Sequence, residues 1–268
     1  MNILESLIKG KTTDGYCEDV LVVTDRFIAV IDGVTSKSDF IYEGKKTGRL
    51  AAELVQKAIE QSPADAECSK IIKKCNSIFK DFYKNVDFPY EKQKYGLQAV
   101  AAIYSVSKRE IWLIGDCQVM VNGKKYTNSR KSDTLFGELR CMLRYLSETN
   151  ESDCSKAEDA GREAILPWIL KTTAFANKEH NPYGYSVING EEIPQKLIKR
   201  IVLHKQPSEV ILATDGYPVL LPSLQESEAE LARILREDPC CCREYISTKG
   251  IENGNVSFDD RTYIRFRV

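Results

Sequence analysis

Acidic residues stand beside the ends of several short apolar segments of this 268-residue chain. Five such sites follow one another along the sequence: Glu18-Asp19, Asp32-Gly33, Gly115-Asp116, Asp215-Gly216 and Asp259-Asp260. A carboxylate at a strand end is held by the sheet and still reaches solvent, so several converging ends make an oxygen-rich cavity. Mg²⁺ and Mn²⁺ prefer such oxygen ligands. A glycine after the aspartate permits a sharp turn and a close backbone carbonyl. One Asp-Gly pair indicates only a turn, but the ordered set predicts a divalent-cation site.

The elements that would position these residues can be read from the apolar periodicity. We predict strands at Val20–Thr24, Phe27–Ile31, Leu97–Ser105, Glu110–Ile114, Gln118–Val121, Tyr185–Ile188, Leu197–Leu203, Glu209–Thr214 and Thr262–Val268. We predict helices at Gly48–Gln61, Ala66–Val86, Asp133–Ser147, Lys156–Lys171 and Glu226–Arg236, with a short one near Cys241–Ser247. Hairpin-length connections favour an α+β fold in which antiparallel sheets pack together under outer helices. We expect one domain spanning residues 1–268.

Composition argues against some classes of binding partner. The 38 basic and 39 acidic residues give a net charge of −1, which does not favour a nucleic-acid or anionic-membrane partner. The N-terminus does not resemble a signal peptide, and the longest apolar stretch is far shorter than the ~20 residues that span a bilayer. The nine cysteines include no CxxC pair, so we expect them to be reduced, Cys240-Cys241-Cys242 included. These features predict a cytoplasmic protein, which we expect to be a monomer.

The ordered motifs resemble those of the metal-dependent serine/threonine phosphatases of type 2C. That family shows a Glu-Asp pair, an Asp-Gly turn, a glycine-led strand, Gly-Asp, Asp-Gly and a final Asp-Asn-x-Thr-like motif. The matching segments here are Glu18-Asp19, Asp32-Gly33, Gly96-Leu97-Gln98-Ala99, Gly115-Asp116-Cys117, Thr214-Asp215-Gly216 and Asp259-Asp260-Arg261-Thr262. The correspondence runs from about residue 12 to the C-terminus.

The resemblance implies a four-layer α-β-β-α sandwich with two Mn²⁺ or Mg²⁺ ions at one end. Asp32 would bridge both ions. Glu18 and the Gly33 carbonyl would bind one ion, and Asp215 and Asp259 the other. Two further acids complete the implied set: Asp19 would orient a metal-coordinated water, and Asp116 would join a weaker third site. The implied reaction is in-line attack of an activated water on a phosphoserine or phosphothreonine of a protein substrate, without a covalent intermediate.

Three positions depart from the family pattern. Asp14 stands where well-studied members carry an arginine that grips the phosphate, so another cation must serve. Lys11, Arg26 and Lys37 are candidates by their proximity in sequence. The eukaryotic members have a histidine where this chain has Val34, and Val219 replaces the expected partner of a third metal.

Two rival functions remain at this point. A haloacid-dehalogenase-type phosphatase would need a second aspartate in its Asp-x-Asp-x-Thr motif, and the segment Asp32-Gly33-Val34-Thr35-Ser36 lacks one. A non-catalytic relative that uses the same fold to bind a metal or a partner is the stronger rival, because the phosphate-gripping arginine is missing. The grouped acids oppose that interpretation, because unused carboxylates would repel each other.

Overall fold

The computed structural model describes residues 1–147, 159–204, 207–252 and 254–268. The strands are β1 Asn2–Lys9, β2 Val20–Val23, β3 Phe27–Gly33, β4 Ile41–Tyr42, β5 Lys45–Lys46, β6 Ala99–Ser105, β7 Glu110–Ile114, β8 Gln118–Val121, β9 Lys124–Tyr126, β10 Lys199–Val202, β11 Glu209–Ala213 and β12 Arg261–Arg267. The helices are α1 Thr47–Glu60, α2 Cys68–Asn85, α3 Lys92–Tyr95, α4 Lys131–Leu146, α5 Ala160–Lys171 and α6 Leu224–Glu237.

Ten of the strands form two antiparallel sheets. Sheet I has the order β1-β12-β11-β8-β9, and sheet II has the order β10-β7-β6-β3-β2. Their inner faces share one hydrophobic core, to which Val30 of β3 and Leu212 of β11 contribute. Helices α1 and α2 cover the outer face of sheet II, and α6 covers that of sheet I. The four-layer α-β-β-α sandwich is therefore confirmed.

The alternation of side chains along β3 explains how the layers meet. Successive side chains of a strand point to opposite faces, and Ile28 and Val30 pack between the sheets while Ala29 and Ile31 pack beneath the helices. Because both faces are covered, every residue from Phe27 to Ile31 is fully buried. This strand is the rigid support for the acidic residue that ends it.

Most predicted elements are confirmed to within a few residues, and the differences have local causes. Strand β1 was not predicted, because its half-exposed sequence becomes a strand only by pairing with β12. The predicted strand Tyr185–Ile188 makes only isolated bridges at its two ends. Helix α5 runs through Pro167, and residues 156–158 of its predicted start lie outside the described residues.

The predicted helix near Cys241–Ser247 was wrong, and Asp238 is the reason. Its buried carboxylate accepts hydrogen bonds from the backbone N–H groups of Cys242 (3.0 Å), Arg243 (3.0 Å), Glu244 (2.9 Å) and Tyr245 (3.2 Å). A short acidic side chain that binds nearby N–H groups offers the backbone an alternative to helical bonding. The segment is therefore an ordered loop, and it leads to Lys249.

Cysteine chemistry differs from the prediction at one position. Seven described cysteines are free, but Cys240 is disulfide-bonded, so the expectation that it is reduced was wrong. Disulfides are rare in reducing compartments. Cys240 therefore does not support the predicted cytoplasmic location. None of the described helices combines the length and apolar character needed to cross a bilayer.

Candidate metal centre

The register of the two sheets brings four strand ends to one end of the sandwich, and an acidic residue lies at or beside each of them. In sheet II, Gly33 at the end of β3 pairs with Ala99, and Ile114 at the end of β7 pairs with Ala101. In sheet I, Ala213 at the end of β11 pairs with both Gln118 and Tyr263. Asp32, Asp116, Asp215 and Asp259 therefore lie at the same end of the sandwich.

The acids lie close enough together to influence one another's ionisation. Burial raises the pKa of Asp32, and the charges of Asp19, Asp259 and Asp116 raise it further. Burial also raises the pKa of Asp215, with further contributions from Asp32, Asp259 and Asp116. Like charges in a poorly solvated site disfavour ionisation. Full ionisation of the cluster is therefore unfavourable unless positive charge is added beside it.

A cleft of about 450 Å³ opens over this cluster. Asp116, Asp215 and Asp259 line it, together with the cationic side chains of Arg130 and Lys249. Its size lies within the range of roughly 300–1,000 Å³ typical of ligand sites. Three of the predicted acids thus face a space large enough for a small substrate group.

Glu18 and the Gly33 carbonyl, which the resemblance assigns to one cation, lie side by side against Gly48. A Cβ atom on Gly48 would stand 2.6 Å from Glu18 Oε1 and 2.8 Å from Gly33 O, so a side chain there would fill the space between them. Glu18 is buried, and its Oε1 atom has no hydrogen-bond partner. These atoms form an oxygen-lined cradle at the start of α1.

Asp19 is held by hydroxyl groups from sheet I. Its Oδ2 atom accepts hydrogen bonds from Thr214 Oγ1 at 2.7 Å and Thr262 Oγ1 at 2.9 Å, while its buried Oδ1 atom has no partner. Burial raises the pKa of Asp19, and the charge of Asp260 adds to the shift. A fixed carboxylate with one free oxygen can accept a hydrogen bond from a water in the site.

Asp259 differs from the other acids because lysines occupy both of its oxygens. Lys11 Nζ lies 3.0 Å from Oδ1, and Lys249 Nζ contacts Oδ2. Burial alone would raise the pKa of Asp259, but Lys249 and Lys11 outweigh burial and lower it. Asp259 is therefore an ionised, fully paired carboxylate, whereas the resemblance assigns it to a metal.

The neighbouring Asp260 ties two chain segments together. Its carboxylate accepts the backbone N–H of Lys11 at 2.7 Å and that of Glu18 at 2.9 Å. Because Asp260 is buried and fixed at the start of β12, these bonds set the positions of Lys11 and Glu18 relative to Asp259.

Asp116 is paired with a cation as well. Arg130 Nη2 lies 3.2 Å from Asp116 Oδ2, and its guanidinium lies 4.6 Å from the ring centroid of Tyr185. This pairing and Val219, which cannot ligate a metal, both stand against a third cation at Asp116.

Lys11, Arg26 and Lys37 were considered as replacements for the missing arginine, and their positions in the structure favour Lys37. Arg26 lies in the turn between β2 and β3, at the opposite end of the sandwich, and donates to Ser62 O and Glu60 O. Lys11 belongs to the acidic cluster. Asp14 is exposed and accepts hydrogen bonds from Thr12 Oγ1 and Tyr16 N at 2.5 and 3.0 Å.

Lys37 is the remaining candidate. Lys37 lies among other cations. Its burial lowers its pKa, and repulsion from Lys249 and Arg162 lowers it further, to about 7. Its ammonium group donates to Thr35 O at 2.9 Å. A group of repelling positive charges beside an opening favours the arrival of an anion.

Free donor atoms for a divalent cation are present on Glu18 and Asp215, whereas Asp259 has none. Glu18 Oε1 and Asp215 Oδ1 are buried without partners, and unsatisfied buried carboxylate oxygens are what a hard cation needs. Asp259 has no free oxygen. No three of the described Asp, Glu, His and Cys side chains already stand in the arrangement of a complete metal site.

Sequence reasoning missed Lys249 and Arg130. Lys249 follows a loop whose path depends on Asp238, and no motif marks it. Arg130 precedes α4 and reaches Asp116 from outside the sheets. A basic residue in a connecting segment carries no periodic signal, so neither position could be distinguished from a solvated charge.

Comparisons with known proteins bear on the fold. No family model matches the chain, and no curated protein sequence matches it. The catalytic domain of the serine/threonine protein phosphatase PstP, in complex with two manganese ions, aligns over 100% of both chains at 14% identity with a TM-score of 0.50. PppA, a regulatory component of the type VI secretion system in Pseudomonas aeruginosa, aligns over 100% of this chain and 99% of its own at 11% identity and a TM-score of 0.49.

A third solved structure also aligns over nearly the whole chain. Stp1 from Staphylococcus aureus, a serine/threonine phosphatase, aligns over 99% of this chain and 95% of its own at 12% identity, with a TM-score of 0.48. At identities this low, structural likeness shows the fold alone, and the chemistry has to be argued from the residues of the site. The chain has the fold of the metal-dependent serine/threonine phosphatases of type 2C, the family that its motifs resemble.

Proposed function

We propose that this protein is a divalent-cation-dependent phosphomonoesterase that acts on phosphoserine or phosphothreonine in protein substrates. The observation that carries the proposal is the presence of buried, unpartnered carboxylate oxygens on Glu18 and Asp215, in a cluster that also includes Asp32. Buried carboxylates ionise readily only when they are paired or coordinate a metal. A divalent cation would supply the partner that the free oxygens of Glu18 and Asp215 lack.

The residues have distinct parts in this proposal. Asp32, Glu18 and the Gly33 carbonyl would hold Mn²⁺ or Mg²⁺, and Asp215 faces the same cluster. When bound, such a cation polarises a phosphoryl oxygen and lowers the pKa of a water. The free Oδ1 atom of Asp19 orients that water, since Thr214 and Thr262 fix the carboxylate. Lys249 at the cleft, and Lys37 in the neighbouring pocket that shares Arg130 with it, would offset the charge of the phosphoryl group.

The test is hydrolysis of an aryl phosphate and of a phosphothreonine peptide by the full chain. Each substrate is assayed with added Mn²⁺, with added Mg²⁺ and with a chelator. Turnover that requires a divalent cation and stops on chelation supports the proposal. The absence of cation-dependent turnover on both substrates would contradict it.

A second candidate function is a non-catalytic relative that binds a metal or a protein partner through the same fold. Two observations favour it: Asp259 is fully paired with lysines, and Asp14 replaces the phosphate-gripping arginine. This candidate predicts cation binding without turnover. The same assay, combined with a measurement of bound Mn²⁺, separates the two functions.

Lys37 provides a prediction specific to phosphate binding. Replacing it with methionine (Lys37→Met) keeps the length of the side chain and removes the charge that an incoming phosphoryl group would meet. We expect KM for the aryl phosphate to rise about tenfold, because a charge-assisted contact contributes roughly 1.5–3 kcal/mol. Steady-state kinetics at saturating Mn²⁺ measures this change, and kcat should fall less than KM rises.

Arg26→Met is the matched control for Lys37→Met. Arg26 was an equal candidate from the sequence, but it lies at the opposite end of the sandwich. Its removal should leave KM unchanged. An equal rise of KM in both variants would show that Lys37 does not contact the phosphoryl group.

A further inference from the structure

Two ammonium groups stand where the resemblance would put a second cation. Lys11 contacts one oxygen of Asp259 at 3.0 Å, and Lys249 contacts the other. The side chains of Lys11, Asp259 and Lys249 are only 13%, 16% and 17% exposed, so water and salt screen the contacts weakly. Asp259 therefore has its charge neutralised by the chain itself.

Lys11 is fixed in this position by several acceptors. Its Nζ atom donates to Thr35 Oγ1 at 3.0 Å and lies 3.7 Å from both Glu18 Oε2 and Asp260 Oδ2. Contacts with this many acceptors hold the Lys11 side chain in one position, unlike the side chain of an exposed lysine. It occupies the centre of a group of three acids.

Lys249 approaches from the other side, along the loop that Asp238 orders. That loop follows α6, and its early N–H groups are bound by the Asp238 carboxylate. Lys11 comes from the end of β1, so the two lysines belong to separate parts of the fold. Two separate parts of the chain therefore hold the Asp259 carboxylate. Removing one partner of a buried ion pair lowers the stability of the fold.

We propose that Lys11 and Lys249 take the place of one of the two cations, so that this chain binds a single divalent cation on the side of Asp32, Glu18 and the Gly33 carbonyl. A second divalent cation at Asp259 would have to displace an ammonium group and would repel the one that stayed. On the other side, the oxygen of Glu18 remains free to ligate. The inference rests on the proposed function only in taking Mn²⁺ as the cation.

Metal stoichiometry tests this inference without an activity measurement. Equilibrium dialysis of the full chain against Mn²⁺, followed by metal analysis, should give about one ion per wild-type chain at saturation. The double variant Lys11→Met/Lys249→Met, which frees both oxygens of Asp259 and removes both repelling charges, should raise the value to about two. Lys57→Met, on the exposed face of α1, should leave it at the wild-type value.

Each outcome has one meaning. Two ions per wild-type chain, or a Lys11→Met/Lys249→Met variant that still binds one, would overturn the single-cation inference and leave the proposed phosphatase standing. No bound ion in the wild type would overturn both. Circular dichroism confirms the fold of each variant. If the double variant fails to fold, Lys11→Gln/Lys249→Gln, which keeps both side chains polar, replaces it with the same expected rise.

Discussion

Replacing Asp32 or Asp215 with asparagine should abolish cation-dependent turnover while the fold remains intact. Each change removes one carboxylate charge from the cluster that faces the cleft and keeps nearly the same side-chain volume. Loss of a residue that merely supports a metal ligand typically costs 10–100-fold, so loss of a ligand should lower kcat/KM by at least about a hundredfold. The measurement is aryl phosphate hydrolysis at saturating Mn²⁺.

Asp25→Asn is the matched control for these two variants. Asp25 lies in the turn before β3, at the end of the strand opposite Asp32, and its side chain is 89% exposed. The variant should retain wild-type kcat/KM. Retained activity in both Asp32→Asn and Asp215→Asn would contradict the assignment of the site.

The positions of the acids were predictable because local rules determine them. Asp32 follows a continuous apolar run that can only be a buried strand, and the register of an antiparallel sheet decides which strand ends meet. The structure places Asp32 and Asp215 at one end of the sandwich, in agreement with the sequence pattern. The order of strands and helices was sufficient to predict the layered fold.

The charges that balance the acids were not predictable, because they depend on contacts distant in sequence. Lys11 and Asp259 are 248 residues apart. Lys249 is close to Asp259 in sequence, but its approach requires the loop ordered by Asp238, where a helix was predicted. Strand β1, which carries Lys11 to the site, has too weak a pattern to be recognised without its partner β12.

The roles of individual residues were predictable only in part. Glu18 and Gly33 were paired by resemblance, and the structure places them around the same glycine of α1. Asp259 was assigned to a metal by the same resemblance, yet its oxygens are paired with lysines. A motif records which residue stands at a position, while the neighbours that compete for that residue come from the rest of the fold.

The last expected result concerns stability without metal. Asp215→Asn should make the metal-free protein more stable at pH 7, by about 1–3 kcal/mol, because it replaces a carboxyl group whose ionisation the buried site disfavours with a group that does not titrate. Chemical denaturation in the presence of a chelator measures the difference. A typical substitution at a buried polar site destabilises a protein, so an increase would be specific to a site built to bind a cation.

The pH dependence of that difference follows from the direction of the pKa shift. Burial raises the pKa of Asp215, and Asp32, Asp259 and Asp116 raise it further. The folded protein therefore retains this proton at pH values where the unfolded chain, which ionises near pH 4, has lost it. Wild-type stability falls as pH rises through that interval, whereas the asparagine does not titrate. The gap between variant and wild type should widen from about pH 4 upward.

Adding Mn²⁺ should reverse the order of the two proteins. A ligand that binds only the folded state stabilises it by about 2.7 kcal/mol at a hundred times its Kd. The wild type gains this term, and the Asp215→Asn variant, which has lost a carboxylate facing the cation, gains less. A variant that is less stable than the wild type both with and without Mn²⁺ would show that Asp215 stabilises the fold itself.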